Sequence, residues 1–477
     1  MVAMSQVDVV HVALAADSRR LGGCPGLVTP LDPSAKPHRW RATGAPTPRL
    51  PIYAVEVTSS PAMSAAAGLV ARTTEVTDLG PLLDLLPEGP ALSWVRRGEG
   101  LVGWGETARF TTAGDGQFAA ADSWWSDLLA HAVVRDDVGL PGTGPVAFGS
   151  FSFDPRSEHG GALVVPQVVV GHRGNRWWVT TLALPGTLPV SPLVTAHAAT
   201  GVGEVAYADG ALPADRWAQA VAAAVTRIGA GEVDKVVLAR ALLATTREPV
   251  DPRWLLRGLA EHYPSCWTFS VDGLLGATPE LLVRLERGLV HSRVLAGTIR
   301  RTGDDAHDLV LAGSLARSSK DLEEHEYAVR SLADALAPHC SSMNVPESPF
   351  VLHLANVMHL ATDVAGVLSD GATSLTLAAA VHPTAAVCGT PTPAAMQVIR
   401  DLEGMDRGRY AGPVGWIDAR GDGEWGIALR CAETSPDDAT RLRLFAGCGI
   451  VAGSQPADEL AESDAKLVPM RDALART

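Results

Sequence analysis

LFAGCGIVAGSQPADELAESDAK, residues 444–466, is the stretch from which the rest of the chain is read. An apolar run leads into glycines at 447, 449 and 453, and these lead into acids and a lysine at helical spacing. The pattern predicts a strand, a glycine-rich turn and a helix. Gly447, Gly449 and Gly453 allow positive φ and close approach of a ligand to bare amides. Ser454 and Pro456 are residues typical of a helix start. The turn is therefore a candidate anion holder. Behind it Glu459, Glu462 and Lys466 fall at i, i+3 and i+7 on one helical face. That face is a candidate place for a hard cation, or else a solvated surface with one ion pair.

The totals limit the classes of function. A chain of 477 residues with 47% hydrophobic content can bury a large core. Its net charge of −14, with no cluster of Lys and Arg among aromatic residues, argues against nucleic-acid binding. The six cysteines are scattered without a CxxC pair, which fits reduced thiols in a cytoplasmic enzyme. The apolar run at 7–16 is interrupted by Asp8 and His11 and follows no basic segment, so neither a signal peptide nor a membrane span is expected.

Residues 1–50 mix Pro, Ser and Arg around short apolar runs and read as a loosely ordered N-terminal arm. The segment 51–210 is rich in strand signals. SWVRR and LVGWGE flank a turn at 98–100, and further strands are expected over 146–153 and 162–170. Composition shifts near Ala211, and 211–477 reads as the catalytic region of the same structural unit. An amphipathic helix starts at Pro213, with Trp217, Val221, Val225 and Ile228 on one face.

DKVVLARALL at 234–243 is apolar on both faces and predicts a central strand. Lys235 on it is either a lysine snorkelling at a strand end or a desolvated amine available as a base. Turn signals at Asp272-Gly273 and Arg287-Gly288 predict a meander of strands over 266–271, 274–285 and 289–295. Glu280 follows Pro279 within it. It is an exposed edge residue or a cavity-wall carboxyl with a raised pKa that can act as a general acid.

Two helices are expected over 304–317 and 320–336, the second opened by Ser318 in a capping box. Asp321 and Glu324 lie one turn apart on it, a second acidic pair comparable to Glu459 and Glu462. Carboxylates on two facing helices suit Mg²⁺. A helix over 396–403 and a hairpin about 421–423 follow. Arg430 is placed on the second strand of that hairpin beside small residues, where a ligand carboxylate can reach its guanidinium.

Taken together, KVVLAR at 235, GATPELLVRL at 276, LAGTIRR at 295, SSKDLEEHEYAV at 318, HLAT at 359, HPTAAVCGTP at 382, DRGRYAGPVGW at 406 and GEWGIALRCAE at 423 resemble the chorismate-utilising enzymes, most closely isochorismate synthases. The likeness is strong over 210–470 and weaker upstream. It implies an α+β fold of two large, mainly antiparallel sheets packed together with helices outside.

By this resemblance, Lys235 activates water for attack at C2 of chorismate and Glu280 protonates the departing C4 hydroxyl. Glu324 and Glu462 hold Mg²⁺, with Asp321 and Glu459 behind them. Tyr410, Arg430 and the amides around Gly449 take the enolpyruvyl carboxylate. Thr298 and His359 line the pocket, and Lys466 balances the acids. Ala296 stands where aminodeoxychorismate synthases carry a lysine, and 389–392 lacks the GxPK-like sequence of the amine-transferring and salicylate-forming relatives. A salicylate synthase that goes on to eliminate pyruvate is the alternative reading, ahead of an amine-transferring enzyme. No glutamine amidotransferase partner is expected, and the chain is expected to be a monomer. Thr278, Leu322 and the VMH at 357–359 depart from the family pattern.

Overall fold

The strand Lys235–Thr246 is buried along its first seven residues, because Val, Leu and Ala alternate with no polar face to offer water. Around it the structure, a computed structural model, describes residues 68–187, 198–354 and 357–476. The expected arm at 1–50 lies outside these residues. All the described residues fall in one compact unit, Met63–Thr477.

Two large sheets make the architecture. The larger has thirteen strands among the described residues. From one edge it runs Val205–Asp209, Lys235–Thr246, Arg441–Ile450, Cys431–Thr434, Leu274–Thr278, Trp267–Val271, Leu92–Arg96, Glu99–Trp104, Val168–Arg173, Arg176–Ala183, Val70–Val76 and Val133–Asp136. Gly389–Thr390 pairs beside the start of Lys235–Thr246. The smaller sheet has ten, in the order Cys340–Asn344, Val357–Leu368, Leu289–Arg300, Leu281–Glu286, Gly423–Ile427, Pro413–Asp418, Val146–Ser150, Gly161–Val165 and Ala108–Thr112, with Phe350–His353 on Val357–Leu368. Pairing is mainly antiparallel; Val70–Val76 and Val133–Asp136 run parallel. Each sheet draws strands from both sides of Ala211. Trp94, Phe269, Phe148 and Trp425 fill the space between the sheets. The helices Pro252–His262 and Pro456–Ala475 bury Leu255, Leu259, Leu467 and Met470 in a second apolar cluster with strand residues Leu275 and Leu444. Among the described residues no helix is long and apolar enough to cross a membrane.

Several local readings change. The expected meander over 266–295 is not one sheet. Trp267–Val271 and Leu274–Thr278 belong to the larger sheet, and Leu281–Glu286 and Leu289–Arg300 to the smaller. The chain crosses between sheets at Pro279-Glu280. Proline has no N–H for a ladder, so the pairing breaks there. The hairpin strand expected to carry Arg430 divides in the same way, into Gly423–Ile427 and Cys431–Thr434. Arg430 sits between the two pieces with φ of 48°. The stretch over 162–170 is likewise two strands, one in each sheet, split at Pro166-Gln167.

The glycine turn also moves. The strand Arg441–Ile450 runs through Gly447 and Gly449, and Gly447, Gly449 and Gly453 are not in the positive-φ region. The ladder to Lys235–Thr246 holds both strand glycines extended, pairing Gly447 with Ala239 and Gly449 with Val237. Ser454 does not cap the helix Pro456–Ala475, whose N-cap is Gln455. Elsewhere Ser318 caps Ser319–Leu336 by accepting from the Asp321 N–H. The tight turns at Asp272-Gly273 and Arg287-Gly288 have the positive φ pairs of hairpin turns.

Candidate active site

Two neighbouring strands change sheet together, and the cleft opens where they do. Leu274–Thr278 pairs with Cys431–Thr434 in the larger sheet, and Leu281–Glu286 with Gly423–Ile427 in the smaller. The Ile427 N–H donates to the Glu280 carbonyl at 3.2 Å, and the Ala277 N–H to the Arg430 carbonyl at 3.2 Å. Gly276 and Gly426 let the two backbones come this close. A Cβ on Gly276 would lie 2.7 Å from the Arg430 carbonyl oxygen, and one on Gly426 3.0 Å from that of Glu280.

The cleft has a volume of about 150 Å³. Its base is this crossover, with Glu280 and Arg430. One wall is Val237 with Phe445, Gly447 and Gly449; the other is Leu295–Thr298 and His359. Asp321 and the acids of the last helix close it. Lys235 is buried and shares the strand face of Val237, two residues on. The strand Leu289–Arg300 bulges at Gly297, where φ is +76° and the register to Val357–Leu368 shifts. A Cβ there would come within 3.1 Å of the Asp321 Cβ, so glycine is what admits the helix Ser319–Leu336 to the cleft wall.

Burial decides the charge states. It pushes the Glu280 carboxyl up to about 8, against the pull of Lys235 and Arg430, so at neutral pH this group carries a proton. Burial, with the Arg430 and Lys466 charges, holds His359 well below its ordinary value and therefore neutral. Arg430 Nη2 lies 3.5 Å from His359 Nε2, which can only accept from it, so Nδ1 carries the proton and donates to Thr298 Oγ1 at 3.0 Å. The Tyr410 phenol, stacked on Phe445 at 4.9 Å, is raised by burial and stays a neutral donor. Lys466 donates to the Gly447 carbonyl at 2.9 Å and pairs with Glu462 at 2.7 Å. Burial works against its charge, but Glu462 outweighs it and the ammonium persists.

The family model described as "Chorismate binding enzyme" matches residues 69–475. The chain belongs to the chorismate-binding enzymes. Over 439 residues it is 35% identical to the salicylate biosynthesis isochorismate synthase of Pseudomonas aeruginosa, covering 85% of this chain and 90% of that one. Over 262 residues it is 43% identical to the isochorismate synthase DhbC of Bacillus subtilis, covering 52% of this chain and 65% of the relative. Among solved structures, MenF, the menaquinone-specific isochorismate synthase of Escherichia coli, superposes with a TM-score of 0.72 at 25% identity, over 86% of this chain and 95% of that one.

Within this family frame, the residues singled out from the sequence come to one place. Glu280, Thr298, His359, Tyr410, Arg430, Gly449, Lys466, Asp321, Glu459 and Glu462 all line the cleft, and Lys235 acts on Glu280 electrostatically. Glu324 is on the helix Ser319–Leu336, but its side chain lies outside what is described.

Asp321, Glu459 and Glu462 give the cleft an all-oxygen donor set of the kind Mg²⁺ takes. Glu459 is buried, and Ser454 Oγ donates to its Oε1 at 2.6 Å. Cys448 Sγ is within 4.8 Å of the Glu459 and Glu462 oxygens. Burial raises this thiol well above its ordinary value, so it stays protonated and is no ligand for a hard cation. Arg407 and Ala386 also line the cleft and were not singled out. The signal for Arg407 was present in DRGRY, but nothing in its spacing says that it turns inward.

Proposed function

We propose that the protein isomerises chorismate to isochorismate with Mg²⁺. The observation that carries this is Glu280: a carboxyl protonated to about pH 8 at the base of a cleft lined by carboxylates, Arg430 and Lys466, with the buried Lys235 near enough to act on it electrostatically. Such a site suits a dianionic substrate from which a hydroxyl must leave. Lys235 takes a proton from water as the oxygen adds at C2. The ring double bonds shift, and Glu280 gives its proton to the C4 hydroxyl, which departs as water. One water is consumed and one released. Arg430, oriented by His359, and Tyr410 bind the enolpyruvyl carboxylate. Glu324 and Glu462 would hold Mg²⁺, with Asp321 and Glu459 behind them, and the ion would supply charge neutralisation for the ring carboxylate.

Amine transfer lacks its nucleophile, because Ala296 lines the cleft where those relatives carry lysine. We place the enzyme in the cytoplasm as a monomer without an amidotransferase partner, in keeping with its acidic composition and the free thiols of its five described cysteines. The test is incubation with chorismate and Mg²⁺, with and without EDTA, followed by chromatography and mass analysis. The expected product has the mass of chorismate and disappears with EDTA. Salicylate and pyruvate as main products at neutral pH would overturn the assignment.

A further inference from the structure

The strand Lys235–Thr246 is incompletely paired on one side. Arg441–Ile450 covers one side from Val236 to Thr245. On the other, Gly389–Thr390 reaches only Lys235 and Val236, and Val205–Asp209 covers Leu242 to Thr246. Among the described residues, no strand pairs with Val237 to Ala241 on that side. Buried backbone groups need partners, and here side chains and loops supply them. The Val237 N–H donates to the Cys388 carbonyl at 2.8 Å, and the Ala241 carbonyl accepts from the Gly210 N–H at 3.0 Å. The Ala239 carbonyl accepts from Trp217 Nε1 at 3.0 Å. Two more of these groups go to one ion pair: the Ala239 N–H donates to Glu403 Oε1 at 2.7 Å, and Arg407 Nη2 donates to the Val237 carbonyl at 2.8 Å.

Glu403 and Arg407 are both buried, 2% and 3% exposed. Arg407 Nε donates to Glu403 Oε2 at 2.9 Å, and Nη2 also meets Oε1. Its Nη1 donates to the Val387 carbonyl at 2.9 Å, and its guanidinium lies 4.1 Å over the Phe153 ring. The Arg407 carbonyl accepts from the Tyr410 N–H at 3.1 Å. One pair thus ties the Lys235 strand, the 382–391 loop and the Tyr410 turn together at the cleft wall. An enclosed ion pair adds little net stability over apolar side chains of similar size. Its fork of directed donors supplies geometry that apolar packing does not.

We infer that Glu403 and Arg407 are positioning residues, a stand-in for the missing strand that sets Lys235 and Tyr410 at a fixed separation across the cleft. This rests on the reading of Lys235 as the base. The test is the paired variant Glu403→Leu with Arg407→Met, which removes both charges and leaves neither uncompensated. Circular dichroism and a cooperative melt establish folding. The expected result is a loss in kcat of about 100-fold, as for a misplaced catalytic group, with KM within about threefold. Competitive acetic anhydride labelling, read at Lys235 by peptide mass spectrometry, is expected to be about tenfold faster than in the wild type because the strand opens locally.

Wild-type kcat and wild-type labelling in the folded variant would overturn the inference. So would a raised KM with unchanged kcat, which would make Arg407 a substrate contact. If the paired variant does not fold, Arg407→Lys keeps the charge but loses the fork, and a drop in kcat of about tenfold is expected. Unchanged kcat in that variant would overturn the inference equally. If the wild type makes no isochorismate, the functional reading fails, while the labelling still decides whether the pair holds Lys235.

Discussion

The fold makes the same backbone move twice, and the two places differ in what fills them. Upstream, Glu99–Trp104 and Val168–Arg173 leave the larger sheet and continue as Ala108–Thr112 and Gly161–Val165 in the smaller. That crossover is closed by neutral bonds. The Gln167 N–H donates to the Trp104 carbonyl at 3.0 Å, and Thr107 Oγ1 to the Pro166 and Leu182 carbonyls at 3.0 Å each. Its left-handed residue is Gly105, at φ +69°, and its acid, Glu106, pairs with Arg109 at the surface. Downstream, the left-handed residue is Arg430, the acid is the buried Glu280, and a cleft opens between them. A sheet-to-sheet crossover interrupts the ladder wherever it occurs. Only the downstream one leaves that interruption unfilled, places charge in it and accepts strain at a non-glycine residue.

The comparison can be broken most severely at the charged crossover. Lys235→Ala and Glu280→Gln are each expected to lower kcat about 10²- to 10⁴-fold while the fold, followed by circular dichroism, persists. Retention of wild-type kcat in either would remove the acid–base assignment. Next in size, Arg430→Leu is expected to raise KM about 10- to 100-fold, the loss of a charge-assisted hydrogen bond to a carboxylate. Arg430→Gly should be about 1 kcal/mol more stable than Arg430→Leu, because glycine adopts φ of 48° without strain. Urea melts of the two proteins measure this.

The pH dependence follows from Glu280. Burial raises its carboxyl from 4.5 to about 8. A raised acid favours the folded state fully below pH 4.5, and that contribution disappears as pH rises through about 8. Wild-type stability relative to Glu280→Gln should therefore fall by up to about 1.4 kcal/mol per pH unit between these values. A stability difference that does not change with pH would show that the carboxyl is not raised. Catalysis should decline above about pH 8 as the acid is lost. The smallest effect is expected at the neutral crossover, where Thr107→Val should cost about 1–2 kcal/mol of stability and leave kcat and KM unchanged. A kinetic effect there would mean that the two crossovers are mechanically coupled.

Much of the local structure was legible. Alternation and composition identified the central strand at Lys235, since an apolar pattern on both faces has no stable place but the interior. Ser318 was readable as a cap and Asp272-Gly273 as a turn because their causes lie within four residues. The acids at 459 and 462 were read from helical spacing. What misled was continuity. Strands at 274–285 and 423–432 look unbroken in sequence, because a residue that leaves one sheet and enters another is apolar on both sides of the change. Proline at 279 marked one break as a bend; nothing marked the other at Arg430, whose positive φ is imposed by the paired crossover and not by its own preference.

The sequence by itself determined the family, many of the helices and turns, and the chemical inventory of a lysine, carboxyls and an arginine, because these depend on residue type and near-neighbour spacing. The tertiary structure alone decided that Pro279-Glu280 and Ala428–Arg430 cross between sheets side by side. It decided too that Glu403 and Arg407 complete the strand carrying Lys235. Those facts depend on contacts between residues more than a hundred positions apart, for which local pattern holds no record.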